Sequence, residues 1–116
     1  ALLYPARAPG VEAAIDFSRL LSLEFRPIDE HRFPLFRLAR ETMQAGGPAP
    51  AIYNAANEVA VAAFLASRIP FLAIPAVVEQ TLAHINPVEP ADLDAVIALD
   101  LEARRVAGLE IETLNA

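Results

Sequence analysis

The spacing of apolar positions passes through three regimes along the chain. Residues 1–14, with Pro5, Pro9 and Gly10, show little periodicity and read as a loop. From Leu21 to Phe25 apolar and polar residues alternate, the period of a half-buried strand, and Pro27 ends the run. That strand has no partner elsewhere in the sequence. Either it is disordered in isolation or it belongs to a sheet this chain does not contain.

From Pro34 the spacing becomes helical. Leu35, Leu38, Ala39, Thr42 and Met43 share one stripe, Pro34 suits a first helical position, and Gly46-Gly47 supplies a stop. A second helix is expected over about residues 51–68, between Pro50 and Pro70. It is apolar nearly all round below Glu58, which predicts a central, buried element whose alanines let neighbours approach closely. Pro75 opens a third helix with Val78, Leu82 and Ile85 on one face, closed by Asn86-Pro87. Val96, Ile97 and Leu101 suggest a short fourth helix, and Asp100 could cap a last one running to about Leu114. Gly108 costs about 1 kcal/mol relative to Ala inside a helix, which favours a break between those pieces. The expected fold is therefore mainly α, a small bundle of four to five helices over 34–116. Before it come residues 1–33, an extended segment with one strand.

Composition narrows the function classes. The chain has 116 residues, 55% of them apolar, and a net charge of −6. No cysteine is present, so disulfides, thiolate metal sites and a cysteine nucleophile are excluded. All nine basic residues are Arg, leaving no Schiff-base or phosphate-loop lysine. The acidic balance argues against nucleic acid as a partner. No apolar run reaches a membrane span, the start does not read as a signal peptide, and there is no initiator Met. These features predict a soluble, cytoplasmic chain cut from something longer. Residues 69–116 hold eight acids against two Arg, a solvated outer helix face or an acidic docking surface.

Few residues suit a reaction centre. His31 reads as a surface histidine beside Asp29 and Glu30, and His84 as a favourable cation at a helix end. Neither lies at metal-ligand spacing. Asp92 and Asp94 fall at a helix start, where acids are favoured, without the further ligands of a calcium loop. No nucleotide-binding or serine-hydrolase motif occurs, and no attachment serine of an acyl carrier. The distinctive cluster is Asn54, Asn57 and Glu58, which helical spacing puts on one side of the most apolar helix. Amides there could cap and pack the helix start, or make a polar contact with another domain.

That cluster lies in Asn54-Ala-Ala-Asn-Glu-Val-Ala-Val-Ala-Ala-Phe-Leu65, which closely resembles the C-terminal hallmark of the 1-deoxy-D-xylulose 5-phosphate reductoisomerase family. Further segments match in order: Leu3-Tyr4-Pro5-x-Arg7, Ile15-Asp16-Phe17, Leu23-x-Phe25, and Arg32-Phe33-Pro34-x-x-Arg37-Leu38-Ala39. After them come Gly46-Gly47-x-Ala49-Pro50, Phe71-Leu72-x-Ile74 and Ala103-Arg104-x-Val106-Ala107. The resemblance implies a three-part enzyme: an NADPH-binding Rossmann domain, a catalytic domain and a C-terminal helical bundle. Such an enzyme uses NADPH and a divalent metal, Mn²⁺ or Mg²⁺, to make 2-C-methyl-D-erythritol 4-phosphate in the non-mevalonate isoprenoid pathway.

On this resemblance residues 1–33 are the end of the catalytic domain and a connecting segment, and the strand joins the catalytic domain's sheet. The family's metal, phosphate and cofactor residues all precede Ala1, so this chain holds no catalytic, cofactor-binding or metal residue of its own. Leu2 alone is expected to line the substrate pocket. The implied partners are the NADPH-binding and catalytic domains of the same enzyme, with a homodimer as the whole assembly. A stand-alone acidic helical interaction module is the alternative.

Overall fold

A computed structural model describes residues 15–86 and 88–114. Among them four α-helices and one 3-10 turn form the bundle: α1 Pro34–Ala45, α2 Ala49–Leu65, the turn Phe71–Ala73, α3 Ile74–His84 and α4 Leu93–Leu114. Each helix starts where the sequence offers a reason. Pro34, Pro50 and Pro75 lie in the first turns of α1, α2 and α3, where no partner is needed for the missing N–H. Asp92 caps α4, its Oδ1 accepting the Ala95 N–H at 2.8 Å.

Helix α2 is central and packs against α1, α3 and α4. Its inner stripe, Ile52, Ala55, Ala56, Ala60 and Ala63, recurs at helical spacing, and Ala103, Ala107 and Ile111 of α4 share its two apolar clusters. Small side chains bring the two backbones close. The buried hydroxyls of Thr42 and Thr81 donate to the carbonyls of Leu38 and Val77 four residues earlier, at 2.6 and 2.7 Å.

Several expectations need correction. Helix α2 is not buried all round, for Asn54, Glu58, Ala62 and Leu65 are exposed. It ends at Leu65, well before Pro70. Ser67 adopts φ 57°, its N–H bonds the Phe64 carbonyl at 2.9 Å, and the Arg68 N–H bonds Ala63 at 2.8 Å. This is a left-handed C-terminal cap formed without glycine, so the sequence carries no marker for it. Residues 93–114 make one helix rather than two, running through Gly108 and leaving Asp100 in its interior. Val106, Ala107 and Ile111 are buried around that glycine, and their packing outweighs its modest propensity cost.

The alternating segment Leu21–Phe25 shows no strand. It runs without regular structure, and Leu23 and Phe25 are 81% and 90% exposed. The radius of gyration, 19.0 Å, exceeds the roughly 13 Å of a compact domain this size, as a protruding arm requires. With no second strand among the described residues, alternation alone cannot form a ladder.

Candidate functional site

Asn54 and Glu58 stand one turn apart on the exposed face of α2. The Asn54 amide donates to Glu58 Oε1 at 3.1 Å, and Arg104 of α4 donates to Glu58 Oε2 at 2.7 Å. The same guanidinium reaches Asp100, with Nε to Oδ2 at 2.7 Å. Arg104 thus forks between carboxylates of two helices, a geometry that suits guanidinium and not ammonium. These hydrogen bonds, that from Arg104 first, hold the Glu58 carboxyl below its ordinary range, while those to Asp100 and Glu58 push Arg104 upward.

The chemistry available to this network is limited. Both Glu58 oxygens are engaged and its charge is matched, so it is poorly placed to accept or give a proton. The position between Glu58 and Asp100 that a cation would take is filled by Arg104. The network is a clamp between α2 and α4. It does not cap α2, which has no side-chain cap hydrogen bond; backbone contacts from Ala51 and Ile52 to the Pro48 carbonyl close that turn instead. Asn57 is half-buried and its side chain makes no hydrogen bond with the described residues, so the structure joins Asn54 to Glu58 and leaves Asn57 out.

Sequence reasoning missed Arg104 and Asp100 as members of this cluster. Their spacing of four was a signal for a pair on α4, but nothing in the sequence indicates that α4 lies beside Glu58.

A second surface feature is a cleft of about 500 Å³ between the starts of α1 and α3. Phe33, Phe36, Phe71 and Leu72 line it, all exposed, and Glu79 at its edge is paired with Arg37 at 3.0 Å. These aromatic residues sit beside prolines at helix starts, outside the buried stripes, and periodicity does not flag them. His31 is exposed at the same cleft. His84 pairs across helices with Glu110, Nδ1 to Oε1 at 2.8 Å, so it does more than end α3. Leu2 lies outside the described residues.

Among the described residues no three His, Asp or Glu side chains converge as metal ligands, and no helix is long and apolar enough to cross a membrane. The family described as DXP reductoisomerase C-terminal domain matches residues 1–106. A 1-deoxy-D-xylulose 5-phosphate reductoisomerase of Pseudomonas savastanoi pv. phaseolicola is 49% identical over 112 residues, which cover 97% of this chain and 28% of that protein. The Zymomonas mobilis enzyme of the same name, solved in complex with NADPH, superposes with a TM-score of 0.80 at 44% identity, over 96% of this chain and 29% of its own. A DOX-P reductoisomerase in complex with magnesium gives 0.73 at 30% identity, over 98% and 31%. The chain spans under a third of the length of these relatives.

Proposed function

The chain belongs to the DXP reductoisomerase C-terminal domain family, and from that premise we propose that it is the supporting helical region of a cytoplasmic 1-deoxy-D-xylulose 5-phosphate reductoisomerase. The whole enzyme, on this reading a homodimer, uses NADPH and a divalent metal, Mn²⁺ or Mg²⁺, to form 2-C-methyl-D-erythritol 4-phosphate. The relatives solved with NADPH and with magnesium support the assignment of those two groups to the whole enzyme. On this reading the residues that hold both groups lie in the other parts of the enzyme. Among the described residues no ligand trio converges, and the carboxylates of the main polar cluster are taken up by Arg104.

What this chain contributes is support. It braces the catalytic part of the polypeptide, and Leu2, near the start of residues 1–33, lines the substrate pocket from the end of the catalytic domain. The strand-like run at Leu21–Phe25 joins that domain's sheet. The observation that carries this role is the pairing of a family match along nearly the whole chain with apolar surface left bare: Leu23, Phe25, Phe71 and Leu72 are all exposed. Asn54, Asn57 and Glu58 face the same neighbour, Asn57 with an uncommitted amide.

Two measurements test the reading. Calorimetric titration of the 116-residue chain with NADPH and with Mn²⁺ should show no micromolar binding; such binding would mean that this chain carries the active site. In the full-length enzyme Asn57→Leu should lower turnover or melting temperature, whereas in the isolated chain it should be nearly neutral, within about 0.5 kcal/mol. Wild-type behaviour in both settings would remove Asn57 from the interface.

A further inference from the structure

The junction between the arm and the bundle is built more tightly than its position in a connecting segment requires. Asp29 Oδ1 accepts the backbone N–H of His31 at 3.0 Å and that of Arg32 at 3.2 Å. The Asp29 carbonyl accepts the Phe33 N–H at 2.9 Å, and Phe33 in turn accepts the Phe36 N–H in the first turn of α1 at 3.0 Å. Side chains add a second tie. Glu30 Oε1 receives Arg40 Nη1 at 2.7 Å, and the Arg40 guanidinium lies 5.9 Å from the centre of the Phe36 ring. The turn is therefore fastened to the second as well as the first turn of α1.

Nothing comparable holds the residues just before it. Among the described residues the hydrogen bonds of 15–28 stay within the segment: Ser18 and Arg19 to Asp16, and Arg26 to Glu24. The change falls abruptly between Ile28 and Asp29.

We propose that residues 29–33 form a rigid elbow that moves with the bundle, so that the preceding arm pivots about Arg26–Ile28 and not about the start of α1. The bundle then holds five residues more than its helices suggest, and the direction in which the chain leaves it is fixed by Asp29. Pro27 narrows the pivot further, because its ring fixes one of the two backbone dihedrals there. The elbow is a property of these residues and holds whatever polypeptide precedes them.

Backbone ¹⁵N relaxation on the 116-residue chain tests this directly. Order parameters at His31, Arg32 and Phe33 should match those inside α1, about 0.85, and fall below about 0.6 by Arg26. Asp29→Ala removes the side-chain acceptor and should drop residues 30–33 toward the arm's values while α1 stays unchanged. Asp29→Asn keeps an oxygen in the same place and should restore them, which separates the turn's hydrogen bonds from the aspartate charge. A boundary at Pro34 in the unaltered chain would overturn the proposal. So would an Asp29→Ala chain whose residues 30–33 stay rigid.

Discussion

Replacing Ile111 by alanine should be among the most damaging single changes in the bundle. Ile111 is 1% exposed on α4, in a cluster with Ala56, Ala60, Ala63 and Ala107. The substitution removes three carbon atoms from a dry site, about 2.4 kcal/mol at roughly 0.8 kcal/mol for each buried methylene. A cavity term adds to this, and its size depends on how far the walls collapse inward. The same cluster holds Ile74, Val77 and Val78 of α3 beside the alanines, and the part of the wall made of alanine on helix backbone has little side chain to move into the void. The loss should therefore lie in the upper half of the usual 2–5 kcal/mol range, about 4 kcal/mol. At about 4–8 °C per kcal/mol for a domain near this size, the melting temperature should fall by roughly 15–30 °C. Urea unfolding followed by circular dichroism measures the free energy, with an unchanged slope showing that the same surface is exposed. Ile111→Val is the companion variant, expected to cost about 0.5–1.5 kcal/mol, and it keeps the test informative if the alanine form does not fold. A loss below about 1.5 kcal/mol for alanine would show that the α2–α4 seam closes up freely, contrary to the packing described.

At the end of α2, Ser67→Gly should stabilise the chain by up to about 1 kcal/mol, because glycine reaches the left-handed conformation without the side-chain penalty that serine bears at φ 57°; an unchanged urea midpoint would refute the cap. For Glu58→Gln the outcome depends on pH. Arg104 and Asn54 hold the native Glu58 carboxyl below its ordinary 4.5, so its contribution is present above that value and is lost as pH falls through the lower native one. The Gln variant should be the less stable at pH 7 and should converge with the parent below about pH 4.5 in paired thermal melts, whereas a constant gap across that window would contradict the network.

What the sequence revealed followed from periodicity and punctuation. Pro34, Gly46-Gly47, Pro50 and Pro75 located three of the helices, and the alanine stripe identified α2 as the centre. Where the reading went astray, a longer-range term had taken over. Gly108 lowers the local preference for helix, but burial of Ala107 and Ile111 against α2 is a tertiary effect that no window along the chain contains. Ser67 takes the left-handed position where glycine is usual, so the helix end carried no letter to read. Arg104 joins Glu58 across 46 residues, a distance at which spacing rules have nothing to say. The alternation at Leu21–Phe25 shows the opposite limit: an alternating pattern forms no strand where the described residues offer no second strand to pair with it.

The alanine seam between α2 and α4 also limits how this chain can drift. At Ala55, Ala56, Ala60, Ala103 and Ala107 the side chain is completely covered. Each of these sites has one smaller neighbour in the amino-acid alphabet, glycine, which weakens the helix by about 1 kcal/mol. Every larger one drives a wedge between two backbones at about 1–3 kcal/mol. Leucine or valine positions elsewhere in the core can trade volume with a partner, one shrinking as the other grows. An alanine on a covered helix face has almost no volume to trade. These five codons sit at a local dead end, and variation within the bundle has to be sought on its outer faces.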